Sequence, residues 1–176
     1  MYKGPVGNQE NLMNLLKAFS FFKKRQRSKM QLVIMGSPAA GYENFLESVR
    51  LFSFKEEVKI ITDISSDESA QILSSAYAMV FVPMFKSDPA EVAEAIRCQI
   101  PLIVSSTGIL KEYCGEAALF ADPGDFKNIA EQMMYLFKDE QKRKELIEKG
   151  KLEKQKFIKD NPEEILWEII KSTIEK

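Results

Sequence analysis

Histidine is absent from this 176-residue chain, which removes every histidine-based triad, general base and zinc site. Cysteine is scarce. Cys98 and Cys114 are the only two, too few for a disulfide framework and suited to reduced cytosolic thiols. No run approaches the ~20 apolar residues of a membrane helix, and the opening Met1-Tyr2-Lys3-Gly4-Pro5 lacks the apolar core of a signal peptide. The expected location is the cytoplasm, with any attachment to the inner face of a membrane supplied by parts outside this chain. An excess of one charge is missing too. The 25 basic and 26 acidic residues leave a formal charge of -1, so no global field draws the protein to nucleic acid or an anionic surface.

What is present is a regular alternation. Compact, β-branched runs at Gln31–Gly36, Val58–Ile64, Ala78–Pro83, Pro101–Ser106 and Ala117–Pro123 read as strands buried on both faces. Amphipathic stretches lie between them. Asn11–Gln26 places Leu12, Leu15, Leu16, Phe19 and Phe22 at helical spacing, and Gly41–Phe52 does the same with Phe45, Leu46 and Val49. Asp67–Ala76 follows a Ser65-Ser66 cap. Pro89–Cys98 opens on a proline suited to a first turn, and Asp125–Phe137 repeats the pattern. The tail carries helical patterns only, at Gln141–Phe157 and Pro162–Ile174. The fold class expected is α/β, a Rossmann-like doubly wound parallel sheet of about six strands with extra C-terminal helices. One domain over 1–176 fits the usual size. The first strand must fall within Met1–Val6, short and polar for a central position, which suggests the second half of a larger protein.

Ligands of open α/β sheets sit at the carboxyl ends of the strands, here the loops Gly4–Asn11, Gly36–Gly41, Val82–Pro89 and Ser105–Ile109. Gly4-Pro5-Val6-Gly7 matches neither a dinucleotide fingerprint nor a P-loop, and by itself is a tight strand-to-helix turn. Lys86 and Glu94 could serve as a phosphate cation and a sugar-hydroxyl acceptor, but spacing alone favours two solvated residues at a helix start. Ser105-Ser106-Thr107 suits an anion or a capped helix. The basic run Lys23–Lys29 reads as a solvated helix end.

Taken together and in order, these segments resemble the C-terminal domain of family 4 glycosyltransferases. The likeness runs through Asn11–Ser20, Met30–Gly36, Ser66–Ala76, Ala93-Glu94-Ala95 with Ile100–Ser105, and Leu110–Leu119 with Asp122-Pro123, to about Phe157. It implies one half of a GT-B fold, binding a UDP-, GDP- or ADP-linked sugar donor. It also implies a retaining transfer of a hexose without metal or cofactor, and an acceptor domain N-terminal to this chain. Glu94 matches the family glutamate that holds the nucleotide ribose. Gly7, Gln9, Glu10, Lys86 and Ser87 fall at the other donor-binding positions.

Three of these depart from the family pattern. Gln9 and Glu10 stand where an arginine and a lysine usually neutralise the diphosphate, and Lys86 or Ser87 stands where a first glutamate is usual. The first exchange shifts local charge by three units, each worth ~3 kcal/mol at ~5 Å and an effective dielectric near 20. A second reading follows, a binding or scaffold subunit that keeps the fold and has lost the chemistry. An unrelated doubly wound module, such as a receiver domain, is disfavoured by the extra C-terminal helices.

Overall fold

The computed structural model describes residues 1–7, 10–85, 89–159, 167 and 170–173. The chain enters as β1 (Tyr2–Lys3), α1 (Leu12–Gln26), β2 (Leu32–Met35), α2 (Tyr42–Arg50) and β3 (Val58–Ile61). It continues as α3 (Ser66–Ser74), β4 (Met79–Phe81), α4 (Ala90–Arg97) and β5 (Leu102–Ser105). The last elements are α5 (Ile109–Cys114), β6 (Ala118–Ala121), α6 (Phe126–Lys138) and α7 (Glu140–Lys159). Every run read as a strand forms one, but shorter. Gly36, Thr62 and Pro83 leave the ladder and line the crevice above it. The helix allowed for by the capped-start reading of Ser105-Ser106-Thr107 begins later, at Ile109, and runs only one and a half turns between Gly108 and Gly115.

β1, β2 and β3 pair in parallel, as do β4, β5 and β6. The two sets meet at the centre. The Met1 amino group donates to the Ala78 carbonyl at 2.7 Å, and the Val80 amide donates to the Met1 carbonyl at 2.8 Å, the alternation of a parallel pair. The strands therefore run β3-β2-β1-β4-β5-β6 across the molecule, and the winding direction reverses between β1 and β4. Right-handed crossovers then place α1 and α2 on one face and α4 and α5 on the other. Tyr2, fully buried, stacks on Phe81 across this junction, ring centres 6.0 Å apart.

α6 returns to the face of α1, where Phe22 meets Phe137 edge-on at 5.4 Å. α7 crosses back to pack on α4, and Lys149 holds Glu116 at 3.0 Å and Glu145 at 2.7 Å. The Ser65 cap is a full capping box with Glu68, and the hydrogen bonds from Ser65 hold that carboxyl below its usual range. Pro89 caps α4 rather than opening it. In the basic run Lys24, Arg25, Arg27 and Lys29 are solvated, as read from the sequence. Lys23 is not: it is buried, paired with Glu57 and donating to the Ser28 and Met30 carbonyls, because α1 ends in a left-handed Arg27 that folds the chain back over it. Most of Pro162–Ile174 lies outside the described residues. Trp167 and 170–173 are helical, with Trp167 and Ile170 exposed.

Candidate functional site

Two cavities open at the carboxyl ends of the strands, one on either side of the reversal. The first, about 570 Å³, spans the exits of β1, β2 and β3 and is walled by α3 and α4. Its lining is polar: Ser37, Thr62, Ser65, Ser66 and Ser69 supply hydroxyls, while Lys3, Arg97, Asp63 and Glu94 supply two charges of each sign. Asp63 holds a left-handed backbone, φ 55°, a conformation aspartate tolerates better than most residues and one that recurs at ligand sites. The second cavity, about 740 Å³, spans the exits of β4, β5 and β6. Pro83, Met84, Phe85, Leu110 and Pro123 make it largely apolar.

Glu94 lies on the second turn of α4, and its carboxylate reaches the first cavity. One of its oxygens is ion-paired with Lys3, the last residue of β1. Gly7 has a different task. It is buried, and a Cβ there would stand 2.5 Å from the Ala40 carbonyl oxygen, so it permits the β1–α1 loop to lie against Ala39-Ala40. Glu10 Oε2 lies 3.5 Å from the Tyr2 hydroxyl, which donates to the Pro5 carbonyl at 2.8 Å. Burial first, then the Glu10 and Glu91 carboxylates, push the Tyr2 phenol well above its ordinary range. The hydroxyl therefore remains a donor that pins the loop. Gln9, Lys86 and Ser87 lie outside the described residues. Ser105, offered above as an anion ligand, instead donates to the Pro83 carbonyl at 2.6 Å and is buried. It joins β5 to the exit of β4.

Sequence reasoning passed over the loops after β3 and β6. Thr62–Ser66 forms a wall of the first cavity and Asp122–Gly124 one of the second. The signal was available, since every strand of a parallel sheet exits on this edge. Lys3 and Asn11 were passed over as well. Asn11, at the start of α1, donates to the Val82 carbonyl at 2.7 Å and to the Pro123 carbonyl at 2.8 Å. Among the described residues no group of three or more His, Cys, Asp or Glu could hold a metal ion.

The two thiols differ in a way that can be read in solution. Cys98 is half-buried and lines the first cavity. Cys114 is fully buried, and burial followed by the nearby Glu153 carboxylate pushes its thiol up to about 12. Thiolate is the reactive form. Ellman's reagent at pH 8 is expected to titrate one thiol in the native protein and two in denaturant, and two fast native thiols would contradict this burial.

The model of the family described as "Glycosyl transferases group 1" matches residues 1–153. The chain belongs to that family. This group 1 glycosyltransferase chain is 20% identical over 161 residues to O-antigen chain mannosyltransferase B of Escherichia coli, covering 92% of this chain and 42% of that protein. Among solved structures, Anabaena Alr3699/HepE in complex with UDP superposes with a TM-score of 0.82 at 14% identity, covering 97% of this chain and 48% of that one. Sucrose-phosphate synthase from Thermosynechococcus elongatus superposes with a TM-score of 0.77 at 20% identity, covering 88% and 40%. These solved proteins share the fold, and the group 1 chain spans under half the length of each. No helix among its described residues is long and apolar enough to cross a membrane.

Proposed function

We propose that this chain is the C-terminal, donor-binding half of a family 4 glycosyltransferase. In this reading it holds a nucleotide-linked hexose for retaining transfer to a glycan or glycoconjugate, with the acceptor bound by a second Rossmann-like domain outside this chain. The observation that carries the reading is the polar cavity beside the winding reversal, with Glu94 reaching into it from α4. A carboxylate accepts two hydroxyl hydrogens at once, the pattern a ribose diol offers. The likeness in fold to a structure determined with UDP supports a nucleoside diphosphate as the ligand class. The larger apolar cavity across the reversal would then lie on the sugar and acceptor side.

A selective thermal shift tests this. UDP, GDP, ADP and their sugar conjugates at a hundred times their dissociation constants add ~2.7 kcal/mol, about 5 °C or more for a chain of this size. One nucleotide is expected to stabilise the wild type, and Glu94→Ala is expected to lose that shift. A flat panel at millimolar ligand would favour the scaffold reading, for which Glu10 at a usually cationic position is the specific support.

A further inference from the structure

The geometry points to Lys3 as the residue that positions Glu94 for the ribose, and so sets the preference for ribonucleotides; this rests on the donor-site reading above. Tyr2 and Lys3 form β1, in parallel register with Ile34 and Met35. Neighbouring side chains on a strand point to opposite faces. Tyr2 goes into the core, while Lys3 emerges on the face that carries α4, at the floor of the 570 Å³ cavity. A lysine in a central parallel strand is out of place unless its charge is answered. Its side chain is only 21% exposed, and the answering group is Glu94, 40% exposed.

The pairing works in both directions. A glutamate on an exposed helical turn samples several rotamers, and fixing it at the moment of binding costs affinity. Lys3 takes Glu94 Oε2 and leaves Oε1 outside the pair. The carboxylate is thus oriented before any ligand arrives, anchored to a strand rather than to a loop, as outer partners orient ligating groups elsewhere. The other cation of the cavity, Arg97, sits three residues along α4. Without Lys3, an i,i+3 pair with Arg97 becomes the available alternative, and it draws the carboxylate along the helix.

The experiment compares Kd values for UDP, GDP and ADP with those for their 2′,3′-dideoxy forms, in the wild type, Lys3→Met, Lys3→Arg, Glu94→Gln and Lys3→Met/Glu94→Gln. The wild type is expected to prefer the ribose form by about tenfold or more, as charge-assisted hydrogen bonds allow. Lys3→Met is expected to reduce that preference to about twofold, with a wild-type circular dichroism spectrum reporting an intact fold. Lys3→Arg restores the preference, and the double variant is no worse than Glu94→Gln alone. If Lys3→Met instead keeps the ribose preference and weakens ribose and dideoxy diphosphates equally, Lys3 answers the phosphates and this assignment is overturned. A wild type that binds none of the diphosphates overturns the donor-site reading and this assignment with it. A wild type that binds without ribose preference overturns the assignment alone.

Discussion

Gly36→Ala is expected to cost about 3–5 kcal/mol, a large share of the ~5–15 kcal/mol that holds most domains folded. Gly36 follows β2 with φ 150°, and a Cβ there would lie 1.9 Å from the Gly4 carbonyl oxygen and 2.7 Å from the Gly4 carbonyl carbon. Both obstacles are backbone, so no side chain can move aside. They are also locked from either side. The Gly4 amide donates to the Met35 carbonyl at 3.0 Å, the Gly36 amide to the Ile61 carbonyl at 3.1 Å, and the Val6 amide to the Ser37 carbonyl at 2.9 Å. The exits of β1 and β2 are clasped together beside the first cavity, and an added methyl must part them. Gly150→Ala is the internal control. Gly150 lies within α7 with nothing inside 4 Å of its missing Cβ, so the same change there is expected to stabilise by about 0.5–1 kcal/mol. Urea melts of the two variants would check both signs. A Gly36→Ala midpoint equal to the wild type would show that the clasp does not exist.

Gly36 also illustrates what a linear reading can reach. Its place at the end of a strand was legible from QLVIMG, a compact apolar run closed by glycine, because a buried strand announces itself by composition over a few residues. The cap at Ser65 and the helix read at Asp125–Phe137, observed as Phe126–Lys138, were legible because each is encoded within a few turns, whereas the part Glu68 plays in the cap was not read. The contact of Gly36 with Gly4 was not. It depends on two strand exits lying side by side, a property of topology rather than of neighbouring residues. The Lys3–Glu94 pair joins residues 91 apart. Nothing local to β1 marks Lys3 as part of a site, since a polar residue in so short a strand reads only as a weak strand. Glu94, which lines the first cavity, was singled out through family likeness rather than spacing. At Glu10 the likeness suggests a role in charge balance at the diphosphate, and the structure adds that its side chain stands beside the buried Tyr2 hydroxyl.

Asn11 carries the second large expectation: Asn11→Ala should lose about 2–4 kcal/mol, and Asn11→Asp at least as much. Its amide nitrogen has two hydrogens and both are used, on the Val82 and Pro123 carbonyls. Those carbonyls follow β4 and β6, so one side chain at the start of α1 gathers the exits of two strands it does not neighbour in sequence. Alanine leaves the Val82 carbonyl with its desolvation unanswered, a loss of about 1–3 kcal/mol. Pro123 fares better, because Asn14 also donates to its carbonyl at 3.0 Å. Alanine must further adopt the left-handed backbone of Asn11, φ 57°, which asparagine tolerates and alanine resists by about 1 kcal/mol. Aspartate keeps the shape and the backbone preference but brings acceptor oxygens against two carbonyl oxygens, which is why it should fare no better than alanine. Asn14→Ala, removing the redundant donor, is expected to cost about 1 kcal/mol. Pro123 lines the apolar cavity together with Asp122 and Gly124, and Val82 adjoins its Pro83 wall. The Asn11 variants should therefore loosen that cavity before the Glu94 cavity, whose lining holds no residue of β4, β6 or the turns that follow them. Hydrogen exchange would resolve the order, with protection lost first around residues 82–85 and 122–124. Loss beginning instead at Thr62–Ser66 would place the anchor of the strand exits somewhere other than Asn11.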